Sequence, residues 1–391
     1  MRTDLPRSDL RATLGRVSET QHRETMARDQ QEGAFEQAEE RGPDSPADLD
    51  KPDWKAVAKR VVAEFGEDGG PDLAAALTYF AIMSLAPMLL ALSTSLSFLG
   101  QGEATQTAIE DLGAELGLQQ GTIETVVQYL NSMGEAGGAG ILLIVGLLGA
   151  LWSASNYVNA FSRMMNNVYE VEEGRPVWKL RPWLVGLTVV ILLLLITIVL
   201  SVTLSGTVSE LVFGAIGLSG TATTVWNIAK WPVILLILIV IVALLYWGTP
   251  NVKQPKFRWL SPGAALAVVV SILAAAAFGF YVANFGSYNA TYGALGGVIV
   301  LLLLIFIINN VLVLGAELDS ELERGRELAA GMAAEETILL PPRDSKGTEK
   351  KAEKSAKLVR EARQLRMKAA RRLKDSGKES GLPGRESGPK V

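Results

Sequence analysis

Between Thr291 and Ser320 the chain carries an apolar run that no charge interrupts until Glu317. Gly293, Gly296 and Gly297 open it. An unbroken apolar segment then extends from Val298 to Ile308, and after Asn309 and Asn310 a second run leads through Leu314 to Gly315, Ala316 and Glu317. A helix from Tyr292 to Glu317 would be ~39 Å long, enough to cross a hydrocarbon core of ~30 Å with some tilt. One such run could be a buried helix of a soluble protein. Other segments of the same character, at about 73–99, 140–158, 182–204, 226–247 and 262–283, make a span the better reading of this one, at about 292–318. The sequence therefore predicts an all-α, polytopic membrane protein with six transmembrane helices.

Composition taken as an average hides this. Hydrophobic residues make up 49% and charged residues 20%, values that suit a soluble protein, but the charges crowd into the two ends. Residues 1–52 read as a disordered cytoplasmic tail, because one aromatic, Phe35, cannot offset the entropy of ordering so polar a stretch. No cleavable signal is expected there, so the first span should itself direct insertion. Residues 53–326 read as the membrane domain. It opens with an amphipathic surface helix in which Trp54, Val57, Val61, Val62 and Phe65 recur at helical spacing, until Gly69, Gly70 and Pro71 end it. Residues 100–139 carry six acids and no Lys or Arg, with two short amphipathic helices expected among them. Residues 327–391 read as a basic, partly helical cytoplasmic tail. Its segment Lys346 to Lys374 sets twelve Lys or Arg against three Glu, a composition that suits anionic lipid head groups or a plainly solvated helix.

Loop charge sets the orientation. Arg163, Arg175, Lys179 and Arg181 lie in one loop and Lys253, Lys256 and Arg258 in another, whereas 100–139, 205–225 and 284–291 have no basic residue. The basic loops belong inside, which places both termini in the cytoplasm. Six Trp residues fall near the expected interfaces, as an aromatic belt does: Trp178, Trp183, Trp226, Trp231, Trp247 and Trp259. Within the first span Pro87 frees a carbonyl one turn back and is expected to kink the helix.

Several stretches resemble the YihY/BrkB family of bacterial inner-membrane proteins. They are Leu73-Ala-Ala-Ala-Leu-Thr-Tyr-Phe-Ala-Ile-Met-Ser-Leu-Ala-Pro87, Leu151-Trp-Ser-Ala-Ser-Asn156, the Pro-containing turn from Tyr246 to Gly263, Tyr292-Gly-Ala-Leu-Gly296 and Gly315-Ala-Glu317. The similarity covers about Trp54 to Arg326. It implies six helices with cytoplasmic ends in a bacterial cytoplasmic membrane, and a role linked to serum resistance and envelope lipid transport. It also brings an old label, ribonuclease BN, attached to some members by misassignment. Leu304 and Phe306 stand where the family usually has a Trp-x-Tyr pair.

Catalytic chemistry finds little to work with. The single histidine is His22, in the amino-terminal tail, and there is no cysteine. Neither a His/Cys metal site nor a Ser-His nucleophile can be assembled, and no phosphate-cradling Gly-rich loop with Lys exists. No cofactor, no enzyme activity and no nucleic-acid partner are expected, the last because net charge is −4. Polar groups inside the spans remain. Asn156, Asn159 and Arg163 share a face near the inner end of the second span, and Asn309, Asn310 and Glu317 lie in the inner half of the sixth. They suggest a cytoplasm-facing cavity for a lipid head group or polar solute, against the alternative of helix–helix hydrogen bonding. Arg163 and Glu317 are expected in one polar cluster, with the second and sixth spans adjacent. Tyr281, Asn284, Tyr288, Asn289 and Tyr292 form a polar-aromatic cluster at the outer ends of the fifth and sixth spans, suited to interface anchoring or to an exit. Three classes are compatible with these features: a transporter or flippase of an envelope lipid or polar solute, a structural or scaffolding membrane protein, and, least favoured, a membrane enzyme.

Overall fold

The computed structural model describes residues 51–98, 139–203, 220–254, 261–285 and 294–375, with five helical residues between 120 and 128. Eight helices organise them: α1 Lys51–Glu67, α2 Gly70–Phe98, α3 Ala139–Val168, α4 Val177–Thr203, α5 Gly220–Gly248, α6 Pro262–Phe285, α7 Ala294–Ala329 and α8 Lys346–Asp375. Among the described residues the only β pairing is an isolated bridge between Val252 and Pro342. Among the described residues, four helical segments are long and apolar enough to cross a membrane: Val177–Val202, Gly220–Gly248, Pro262–Tyr281 and Ile299–Ala329. A shorter apolar helix covers Gly70–Leu85. α2 and α3, at 29 and 30 residues, match those four in length. The protein is an all-α polytopic membrane protein.

The local reasons are legible. Gly69, in the left-handed region at φ 67°, separates α1 from α2, a conformation that costs glycine least. α2 continues through Pro87, where the sequence predicts a kink; the side chains from Ala86 to Phe98 lie outside the described residues. The tail 1–50 and most of the loop 99–138 are likewise outside them.

Packing centres on α3 and α7. α3 lies against α2, α4 and α7, while α7 also touches α1 and α6. The shared core holds Ala74, Leu77, Phe161, Met164, Met165, Leu184, Ala267, Val313 and Ala316. Large apolar side chains on the outer faces, such as Leu193, Ile196, Leu236, Leu273 and Leu303, stay exposed, as a lipid-facing belt does. α6 and α7 meet at Gly263 and Gly315. A Cβ on Gly263 would stand 1.9 Å from the Gly315 carbonyl oxygen, and one on Gly315 would stand 2.6 Å from both the Gly263 carbonyl and Tyr246 Oη. Only glycine permits that approach.

The sixth span and the segment after it differ from expectation. α7 continues three turns past residue 318 to Ala329, and its carboxy-terminal end carries buried Ser320, Glu321, Arg324 and Glu327. The segment 330–345, read from sequence as the start of the basic, partly helical tail, folds back as a strap over the end of the bundle where α3, α5 and α7 finish, and buries Ala334, Ile338 and Leu340. Its backbone polarity is satisfied there: Leu339 N–H donates to the Glu327 carboxylate, and Lys253 N–H donates to the Pro341 carbonyl over 2.8 Å. α8 begins at the end of this strap, and its described side chains are exposed beyond the first turn.

Candidate functional site

The carboxy-terminal half of α3 carries a stripe at helical spacing: Trp152, Asn156, Asn159 and Arg163. Asn156 and Asn159 are half-buried and Arg163 is exposed. Among the described residues, none of the last three side chains makes a hydrogen bond or ion pair. Arg163 lies over the Phe80 ring of α2 at 5.9 Å. Arg181, at the start of α4, lies over the Trp152 ring at 6.0 Å and also has no hydrogen-bonding or acidic partner among the described residues. The charge of Arg181 is felt at Arg163. The stripe on α3 thus has Phe80 of α2 beside Arg163 and Arg181 of α4 beside Trp152.

Asn309 belongs to a different environment. It is buried in α7, donates from Nδ2 to Thr78 Oγ1 of α2 over 3.0 Å, and accepts at Oδ1 from the Tyr157 hydroxyl of α3 over 2.9 Å. Thr78 passes the chain on, donating to the Ala74 carbonyl over 2.7 Å. Three helices are thereby tied at one level, and each polar group has its partner inside the bundle. Asn310, one residue on, turns back to donate to the Phe306 carbonyl over 2.8 Å. Sequence reasoning does not single out Thr78 and Tyr157 as Asn309's partners. A hydroxyl-rich first span is the available signal for Thr78.

α3 and α7 are neighbours, joined by Tyr157 and Asn309, but Arg163 and Glu317 do not share a contact. Arg163 stands six residues past Tyr157, which turns it by about 240° around α3 and aims it at α2. Glu317 is buried, and its Oε1 has no hydrogen-bond partner among the described residues. The surrounding charge there is acidic: Glu64 and Asp68 from α1 and the turn after it, Glu170 from the end of α3, and Glu321 on α7. Asp68, in the turn, is pushed up to about 6, first by burial and then by the neighbouring carboxylates Glu64, Glu170 and Glu67.

Beneath these groups the loops lock together. Arg175 donates to both oxygens of Glu173, at 2.8 and 2.7 Å, and to the Thr249 carbonyl at 2.7 Å. Those bonds hold the Glu173 carboxyl below its ordinary range against the burial that opposes them. Asn251 N–H donates to Asn166 Oδ1 over 2.7 Å, and the Asn251 amide reaches the Glu172 and Asp344 carbonyls. Arg343 donates to the Val252 and Trp247 carbonyls. These residues bind the 169–176 loop, the 249–254 loop and the strap into one plate.

At the opposite end Tyr281 is exposed and Asn284 lies in α6, with its side chain outside the described residues. Tyr288, Asn289 and Tyr292 lie outside the described residues altogether. Among the described residues no group of three or more His, Cys, Asp or Glu could hold a metal ion.

A bundle of this kind, with long apolar helices and its polar groups gathered toward one end, defines a multi-pass helical membrane protein. Residues 61–337 match the family model described as Virulence factor BrkB, and the chain belongs to that family. It is 30% identical over 270 residues to "Putative ribonuclease-like protein YfkH" of Bacillus subtilis, covering 69% of this chain and 96% of that protein. It is also 30% identical over 298 residues to a UPF0761 membrane protein of Alkalilimnicola ehrlichii, covering 71% of this chain and 62% of the relative. A UPF0761 membrane protein of Psychrobacter sp. is 27% identical over 272 residues, 68% of this chain. The chain spans about half of that last relative, 48%, so only part of its length has a counterpart here. No solved structure matches.

Proposed function

We propose that this protein is a transporter of the bacterial cytoplasmic membrane that takes up an envelope lipid, or another amphiphile with a polar head, from the inner leaflet. The observation behind this reading is the α3 stripe. Asn156, Asn159 and Arg163 sit at the inner part of a long helix without a polar partner among the described residues. Polar groups at that depth need water or a ligand, whereas Asn309 shows how the fold satisfies a purely structural amide. Both termini are cytoplasmic in this reading, and the basic face of α8 lies along anionic head groups of the same leaflet. The competing reading is a scaffold, favoured by the exposed 30-residue α8, a surface open to partners. A catalytic reading has the weakest support, because the chain holds one histidine, His22, and no cysteine. The ribonuclease-like name of the Bacillus relative therefore finds no His or Cys donor set in this membrane domain.

The test is reconstitution of the full chain in vesicles with a head-group-labelled lipid, reading the leaflet distribution by chemical quenching from outside. Faster equilibration than in protein-free vesicles is expected, and slowing by Asn159→Leu ties it to the stripe. Rates equal to those of empty vesicles would leave the scaffold reading. Orientation is tested separately in the naturally cysteine-free chain: a cysteine at Gln254 should resist external labelling in intact cells while one at Ser219 reacts.

A further inference from the structure

We infer that Arg163 and Arg181 together hold the phosphate of an anionic phospholipid of the inner leaflet, with its acyl chains lying along α3. The inference deepens the transport reading and rests on it only for the role of the bound lipid.

Charge comes first. Several neighbouring arginines and lysines around the inner face are engaged: Arg175 with Glu173, Lys179 with Asp344, Arg60 with Glu321, and Arg324 with Glu170 and Glu321. Arg343 is spent on two carbonyls. Arg163 and Arg181 have ring faces beneath them and no acid among the described residues, and they repel one another. A single phosphodiester between them relieves that repulsion and can accept from both guanidinium forks. Asn156 and Asn159 supply amide donors and acceptors for head-group hydroxyls beside it.

Shape then selects a lipid over a soluble anion. Counting back from Arg163, the same face of α3 passes from polar to apolar: Asn159, Asn156, Trp152, Leu148, Ile144. The last three are exposed, Trp152 at 64% and Leu148 at 62%. From Ile144 to Asn156 the helix rises ~18 Å, close to the ~15 Å of one leaflet's hydrocarbon. A head followed by an acyl chain matches that order along a single face. A zwitterionic head would bring a second cation beside two guanidinium groups, so an anionic head is preferred.

The test uses the full chain in nanodiscs of mixed phosphatidylglycerol and phosphatidylcholine, counting lipids retained through mild delipidation by mass spectrometry. Wild type should retain phosphatidylglycerol preferentially. R163Q and R181Q should each lower the preference about tenfold, the loss of one charge-assisted contact. R163K and R181K should lower it less, and K179Q, which removes an already paired charge, should leave it in place. Equal retention of the two lipids by wild type, an equal loss in K179Q, or full displacement by millimolar inorganic phosphate would each overturn the inference. Preferential retention without lipid movement in vesicles removes the transport reading and leaves this site standing. Movement without head-group preference does the reverse.

Discussion

Arg324 Nη2 donates to Glu170 Oε1 over 2.6 Å, and Glu170 meets it from a left-handed backbone at φ 51°. The bond joins two helices that end in the same motif. At the end of α3, Val171 N–H bonds the Asn166 carbonyl and Glu170 N–H bonds the Asn167 carbonyl. At the end of α7, Met332 N–H bonds the Glu327 carbonyl and Gly331 N–H bonds the Leu328 carbonyl. Gly331 occupies the position that glycine favours, whereas Glu170 holds it at a conformational cost of about 1 kcal/mol. The carboxylate offsets that cost by serving almost wholly buried Arg324 and, more weakly, the Ile338 N–H.

Glu170→Ala should therefore destabilise by about 2–3 kcal/mol, keeping the strain and stranding part of the Arg324 charge. Glu170→Gly should cost about 1 kcal/mol less, because it removes the strain with the same loss of the ion pair. Thermal unfolding in detergent ranks the two, and an alanine variant as stable as the glycine variant would refute the strain argument.

Asn309 offers a second measurement. Asn309→Leu leaves the buried Tyr157 and Thr78 hydroxyls with fewer partners and should cost about 1–2 kcal/mol. Adding Tyr157→Phe to it should cost less than the sum of the single changes, since the first has already broken the shared bond. Strict additivity in a double-mutant cycle would mean that the bond contributes nothing.

The crossing of α6 and α7 predicts a steep response to one methyl group. Gly315→Ala drives a Cβ onto the Gly263 carbonyl and Tyr246 Oη and should destabilise by about 1–3 kcal/mol, seen as reduced abundance of the membrane-inserted protein. Gly279→Ala, with nothing within 4 Å of the added atom, should be neutral or slightly stabilising. Equal effects at the two sites would dissociate stability from that crossing.

Asp68 predicts a pH dependence with a definite sign. An acid raised from 3.8 to about 6 in the folded state binds its proton more tightly there than in the unfolded chain. Its contribution to stability accordingly falls as pH climbs through that window and is flat above it. Asp68→Asn should match wild type below about pH 4 and become the more stable protein by pH 7. The comparison is of melting temperatures across that range in one detergent. A difference constant with pH would assign the effect to packing instead.

Apolar runs make the long helices legible, because a hydrocarbon core demands length and hydropathy and little else. The grouping of Asn156, Asn159 and Arg163 is equally legible from spacing of three and four. Which neighbour that face meets is not, since periodicity fixes the angle between residues on one helix and leaves its rotation in the bundle free. Pairing Arg163 with Glu317 rests on depth, a coordinate that ignores that rotation. The strap from 330 to 345 gives no periodic signal, because backbone bonds and three scattered apolar side chains hold it down. Glu170 gives none either, as nothing in its neighbours' composition marks a left-handed glutamate.

The strap also has a mechanical consequence. It clips the root of α8 to the loops that close α3 and α5, through Asn251, Arg343 and Gly174, whose carbonyl accepts from the Gly347 N–H over 2.6 Å. A 30-residue helix held at one end is a lever ~45 Å long. A rotation of about 10° at its root would swing Asp375 through ~8 Å, so a sub-ångström rearrangement among those loops would be displayed, magnified, at the far tip of the basic helix.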